Sequence, residues 1–143
     1  MVATIQGIRC VEVPLFTNVG ADLVVYEQER AMPFSVRRVF TVRAHDVSER
    51  GRHAHKKCRQ VMACLIGRCD VTVDDGKNRK TVGLARPQDA LFVPASIWAE
   101  QSYREPGTIL MVLCDRLYDE DDYIRDYDTF LAWRARRGQT SRR

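Results

Sequence analysis

His53 and His55 stand one residue apart in the segment RGRHAHKKCRQ (50–60), and the chain contains one further histidine, His45. Two imidazoles so placed can ligate a metal or move protons, because the ring titrates near neutrality and its neutral nitrogens are good ligands. On an extended backbone residues i and i+2 point to the same face, so both rings would enter one cavity while Ala54 and Lys56 face away. The third possibility is two solvated side chains on a basic loop. His-x-His alone leaves all three open.

Placing both rings in one cavity requires strands, and up to about residue 115 the chain carries strand signals. Segments 8–13, 23–28, 36–42, 60–66, 70–73, 80–84, 90–94 and 108–113 are short and rich in Val, Ile, Leu and Phe. Asp74-Asp75-Gly76 has hairpin chemistry, Arg86-Pro87-Gln88-Asp89 makes another break, and Gly67 ends one apolar run before Cys69 begins the next. Many short strands at this spacing predict an all-β sandwich or barrel. The pattern changes in 119–138, where Tyr123, Tyr127, Phe130, Leu131 and Arg134 recur at helical steps. Acids crowd the start of this stretch and arginines its end, which suits the helix dipole, and Gly138 predicts the stop. The expected organisation is one domain over residues 1–133, closed by a C-terminal helix, with a flexible basic tail over 134–143.

Composition narrows the function classes. With 143 residues, 45% hydrophobic and 29% charged, the chain is long enough to bury a real core. Its net charge of +4 resides at one end: five arginines fall in 134–143, and without them 18 basic residues face 19 acidic ones. The body is no basic platform, so no nucleic-acid partner is expected. No apolar run approaches the roughly 20 residues that span a bilayer, and the N-terminus lacks a signal-peptide core, so no membrane partner is expected. Five cysteines without a C-x-x-C pair read as reduced thiols, which predicts a cytoplasmic protein.

Around the histidine pair the frame resembles the metal-binding pattern of cupins, which are small β-barrels: His53, His55, position 60, Gly67, Pro94 and position 98. Two expected ligands are replaced. Position 60 is Gln60, a poor ligand, and position 98 is Trp98, whose indole only donates. Two histidines and water would hold a divalent ion weakly. The expectation is a cupin with no metal and no other cofactor, its histidines available for proton transfer.

The chain further resembles the nucleotide-sugar 3,4-ketoisomerases, metal-free cupins that interconvert thymidine-diphosphate-linked (dTDP-linked) 4-keto-6-deoxyhexoses and their 3-keto isomers. Four stretches carry the resemblance: FSVRRVF (34–40), RGRHAHKKCRQVMACLIG (50–67), ALFVPASIWAE (90–100) and MVLCDRLYDEDDYIRDYDTF (111–130). It implies a jelly-roll cupin barrel with a C-terminal helix, acting on a dTDP-linked keto-deoxysugar as a homodimer that exchanges strands. It also implies that His53 and His55 supply the base and acid of an enediol mechanism, without ranking the two. Arg38 and Arg50 become candidates for the diphosphate or the keto oxygen, Gln60 for a sugar hydroxyl, and Trp98 for a pocket wall. The chain departs from the family at Thr41, where tyrosine is common, and at Ala99, where a larger polar residue is common. A 3,5-epimerase and a non-catalytic ligand-binding cupin are the alternatives.

Overall fold

The computed structural model describes residues 4–28 and 31–140. Its strands are β1 (Arg9–Glu12), β2 (Leu15–Asn18), β3 (Ala21–Val24), β4 (Arg38–Arg43), β5 (Ser48–His55), β6 (Gln60–Ile66), β7 (Cys69–Asp74), β8 (Arg79–Leu84), β9 (Asp89–Val93), β10 (Trp98–Tyr103), β11 (Ile109–Cys114) and β12 (Tyr123–Ile124). One helix, α1 (Tyr127–Thr140), follows them. The strands form two five-stranded sheets, ordered β1-β9-β6-β11-β4 and β12-β5-β10-β7-β8, while β2 and β3 pair only with each other. This is the expected all-β jelly-roll architecture with a C-terminal helix.

Side-chain alternation divides the molecule into layers. On β6, Met62 and Cys64 face inward, where they meet Val71, Val73 and Tyr103 of the opposite sheet. Val61 and Ala63 face outward, yet they are covered by Val11, Val13, Met32 and Phe34 of the N-terminal segment. A strand buried on both faces reads as an unbroken apolar run, which is why QVMACLI shows no alternation. The outer face of the second sheet is covered by α1, whose fully buried Phe130 packs on Ala54, Trp98 and Ile124. Asp126 starts this helix by accepting from the amide and hydroxyl of Thr129, an N-cap arrangement. Tyr127 then donates its hydroxyl to Asp74 at 2.7 Å, tying the first turn to the end of β7.

Several expectations about the chain's later part change. The helix begins at Tyr127 rather than 119, because Glu120–Asp122 form a 3₁₀ turn and Tyr123–Ile124 join the second sheet. Asp122 of this turn therefore serves a tertiary contact, described below, rather than a helix dipole. At the other end α1 continues past Gly138 to Thr140, so residues 134–140 are helical where a flexible tail was expected. Arg134 donates to the Ser96 carbonyl and Arg137 to the Ser96 hydroxyl, which docks this part of the helix on the β9–β10 turn. Residues 141–143 of the expected tail lie outside the described residues. Among the described residues no helix is long and apolar enough to cross a membrane.

Replacing Phe130 with Ala removes the centre of the α1 contact, and we expect it to cost about 3–5 kcal/mol of stability. Tyr127→Phe removes one hydrogen bond and should cost about 1 kcal/mol. Urea unfolding of both variants checks the ranking.

Candidate active site

β5 and β10 lie side by side in the second sheet, and an irregularity between them aims the site. His53 pairs with Ala99 and Gly51 with Glu100, so Arg52 has no partner in the ladder. Gly51 and Arg52 take φ values of 83° and 57°, the left-handed region that glycine enters without strain. A bulge of this kind resets alternation. Arg50 and His53, three residues apart, consequently line the same cavity. Beyond the bulge His53 and His55 share the inner face while Ala54 lies under α1. A Cβ on Gly51 would stand 2.3 Å from Gln101 Oε1, so this position has no room for a side chain.

The cavity holds about 200 Å³. His53, Arg50, Gln60, Gln101, Tyr123 and Arg125 supply its polar wall, and Phe40, Val42, Met62, Leu110 and Val112 supply apolar surface. The two imidazole rings meet edge-on with centroids 5.1 Å apart. Tyr123 packs against both, 5.0 Å from His53 and 4.4 Å from His55. It reaches this place because β12 pairs Tyr123 with His55, which turns both side chains inward and leaves Ile124 beneath α1. Arg125 then lies over the Tyr123 ring at 4.3 Å and is gripped by Glu120.

Asp122 braces the histidines. Its Oδ2 lies 3.0 Å from His55 Nδ1 and accepts the Cys58 amide, while Oδ1 accepts the Lys57 amide at 2.7 Å. His55, Cys58 and Asp122 are residue types that could form a metal cluster. Both carboxylate oxygens, however, are already engaged by these three groups, so an ion would have to displace hydrogen bonds that close the 56–58 turn. The carboxylate is built as an acceptor that orients His55. Burial pushes the His53 pKa down to about 4, with His55 and Arg125 adding to the effect. Burial also lowers His55, which Asp122 opposes. Both rings are therefore neutral near pH 7.

Among the described residues, the buried side-chain nitrogens and oxygens without a hydrogen-bond partner are Arg38 Nε, His53 Nδ1 and His55 Nε2. All three belong to this site. Leaving a buried polar atom unpaired costs about 1–3 kcal/mol, and such groups in native structures point to a strain reservoir, a catalytic role or a missing guest. Arg38 faces inward from β4, between the rings of Phe40 and Tyr118, with its Nη2 3.6 Å from Cys114 Sγ.

The residues singled out in the sequence divide cleanly. His53, Arg50 and Gln60 line the cavity, and His55 and Arg38 adjoin it. Trp98 does not. It pairs with Ala54, packs against Phe130 beneath α1, and donates its indole N–H to Glu100. Its neighbour Ala99 is the inward residue, opposite His53. A one-residue step on a strand exchanges faces, so Trp98, expected at the pocket wall, packs beneath α1 while Ala99 faces the interior. Thr41 is exposed on β4 between inward Phe40 and Val42, so the departure there does not touch the cavity. Asp122, Tyr123, Arg125 and Gln101 were not identified from the sequence. For the first three the one signal was the dense DEDDYIR run, which reads equally well as the start of a helix, and Gln101 had none.

The family described as FdtA: WxcM-like, C-terminal matches residues 6–135. Over 116 residues the chain is 40% identical to the TDP-4-oxo-6-deoxy-alpha-D-glucose-3,4-oxoisomerase of Aneurinibacillus thermoaerophilus, covering 80% of this chain and 84% of that protein. Among solved structures, a 3,4-ketoisomerase from Helicobacter canadensis matches with a TM-score of 0.87 at 31% identity, over 90% of this chain and 98% of the other. QdtA, a sugar 3,4-ketoisomerase from Thermoanaerobacterium thermosaccharolyticum in complex with TDP, matches at 0.89 and 27% identity, over 94% and 98%. A mutant of QdtA in complex with TDP-4-keto-6-deoxyglucose matches with the same values. With the family match spanning nearly its whole length and an oxoisomerase relative at 40% identity, the chain belongs to the FdtA family of WxcM-like C-terminal domains.

Proposed function

We propose that this protein interconverts the 4-keto and 3-keto forms of a dTDP-linked 6-deoxyhexose. The observation that carries the reading is that Arg38 Nε, His53 Nδ1 and His55 Nε2 are buried and unpartnered, with His53 lining the cavity, His55 against it and Arg38 close enough to act on His55. Two neutral imidazoles and a guanidinium are the groups an enolisation requires: a base, a proton carrier and a cation for the developing oxyanion. In this mechanism His53, which lines the cavity, takes the proton from carbon 3. The electron pair of that C–H bond becomes the carbon 3–carbon 4 double bond, and the former keto oxygen takes up charge beside Arg38. His55, held by Asp122, carries the hydroxyl proton from the carbon 3 oxygen to the carbon 4 oxygen. A proton returned to carbon 4 and collapse to a carbon 3 ketone complete the isomerisation. One carbon is oxidised and its neighbour reduced, so the atoms balance without a metal or redox cofactor.

At about 200 Å³ the cavity is below the roughly 300–1,000 Å³ of pockets for drug-sized ligands. It suits the sugar ring, with the diphosphate passing the rim at Arg50 and the nucleoside outside. The proposed enzyme is a cytoplasmic homodimer. The β2–β3 hairpin supports an exchanged arm, because Phe16 and Leu23 are 59% and 60% exposed on a two-stranded sheet that no other strand joins.

Proton NMR in heavy water with dTDP-4-keto-6-deoxyglucose is the test. A 3-keto product with deuterium at carbon 4 is the expected result, whereas exchange at carbons 3 and 5 with an unmoved carbonyl would identify an epimerase. His53→Asn should lower kcat by a factor of about 10²–10⁴ while TDP binding, read by calorimetry, persists. A His53→Asn enzyme with unchanged kcat would remove His53 as the base.

The lowered His53 pKa has two consequences with a defined sign. Between its ordinary value of 6.5 and about 4, the unfolded chain holds a proton that the folded chain does not, so stability falls as pH falls through that window. The melting temperature of the wild type should thus decline more steeply from pH 6.5 to 4 than that of His53→Asn. For the same reason kcat/KM should hold at pH 6 and decline only as pH approaches about 4. For the dimer, Phe16→Asp combined with Leu23→Asp should give a monomer in equilibrium sedimentation.

A further inference from the structure

Cys114 ends β11 with its side chain turned inward and fully buried. Its register places it between two site residues: β11 pairs Cys114 with Arg38 on one side and with Gln60 on the other. All three side chains face the interior, and both neighbours aim donors at the sulfur. Arg38 Nη2 and Gln60 Nε2 each lie 3.6 Å from Sγ. The nearby Cys58 thiol is turned to the Arg59 carbonyl at 3.5 Å. A thiol is a weak acceptor, and a cation and an amide directed at one buried sulfur mark it as the group that both side chains rest on.

We propose that Cys114 is a positioning residue of the isomerase: its sulfur holds the Arg38 guanidinium and the Gln60 amide in place, leaving Arg38 Nε free for the sugar oxygen. The inference rests on the function proposed above and adds a residue to it. Charge supports it. The contacts with Gln60 and Arg38 favour the charged form of the Cys114 sulfur and oppose the effect of burial, and the geometry of the two donors points the same way. Nearby acids are engaged elsewhere, Asp115 with Arg59 and Asp122 with His55. Arg38 is thus held at one nitrogen by sulfur and at its flat faces by Phe40 and Tyr118. A guanidinium fixed in this way loses little freedom when it meets an oxyanion, the condition under which a positioned charge contributes most to catalysis.

A double-mutant cycle with a spectroscopic readout tests this. Cys114→Ala should lower kcat/KM by about tenfold, within the range of couplings between contacting residues, and Cys114→Ser, which keeps an acceptor, should recover most of that loss. In an Arg38→Ala background the Cys114→Ala step should change kcat/KM by less than about threefold, because its effect passes through Arg38. The nitrogen-15 NMR signal of Arg38 Nε should move in Cys114→Ala. Cys114→Val, similar in size and suited to a strand, repeats the cycle if the Ala variant does not fold. Activity within about twofold of wild type, an equal loss in both Arg38 backgrounds, or an unmoved Arg38 signal would overturn the proposal. A wild-type protein without turnover would overturn the functional reading instead, and the Arg38 signal would still decide the role of Cys114.

Discussion

A single buried carboxylate, that of Asp122, joins the parts on which the site depends. It accepts the amides of Lys57 and Cys58, which close the turn after β5, and it pairs with His55 Nδ1. The Asp122 carbonyl accepts the Lys56 amide in addition. These bonds hold the chain after β11 against the end of β5, so that the next two residues can extend the second sheet as β12. Tyr123 then faces the cavity, Ile124 faces the helix, and α1 is delivered to the outer face of the sheet. Removing the carboxylate would leave His55 Nδ1 and the two backbone amides unpaired, at a cost of about 1–3 kcal/mol for each buried group. The brace and the fold of the C-terminal third are the same interaction.

Burial does chemical work here as well as structural work. The N-terminal segment covers one sheet and α1 covers the other, so the space between the sheets is shielded from both sides. In that space an imidazolium loses hydration, and the neutral ring is favoured. Arg125 acts on both rings, and Asp122, hydrogen-bonded to His55 alone, limits the shift of that one. The two rings, one residue apart in sequence, are made inequivalent by what faces them. Such a pair suits a reaction in which one group abstracts from carbon and the other shuttles between oxygens.

The family name alone would not have located these roles. Relatives that act on TDP-linked sugars establish the class of reaction, but the bulge at Gly51–Arg52 explains how Arg50 and His53 share a cavity in this chain. The register of β11 explains why Arg38 and Gln60 converge on one sulfur. Each is a property of strand pairing, and each would be lost by a slip of a single residue.

Apolar periodicity made the body of the fold legible from sequence. β4, β6, β7, β8, β9 and β11 coincide with Val-, Ile- and Leu-rich segments because their burial demands those residues wherever they pair. The His-x-His pair declared its shared face for the same local reason, the two-residue repeat of a strand. Two of the strands that form the site were not recognised: SERGRHAH and WAEQSY place polar side chains inward, against the pattern that identifies a strand. Only tertiary structure decided that Trp98 lies under a helix while Ala99 faces His53, since that depends on the register of β10 against β5. Only tertiary structure decided that Asp122, in the acidic run 119–122, braces a histidine rather than begins a helix, because a buried carboxylate is defined by partners some 65 residues earlier in the chain. Local chemistry sets which residues can act, and the pairing of distant strands decides which of them meet.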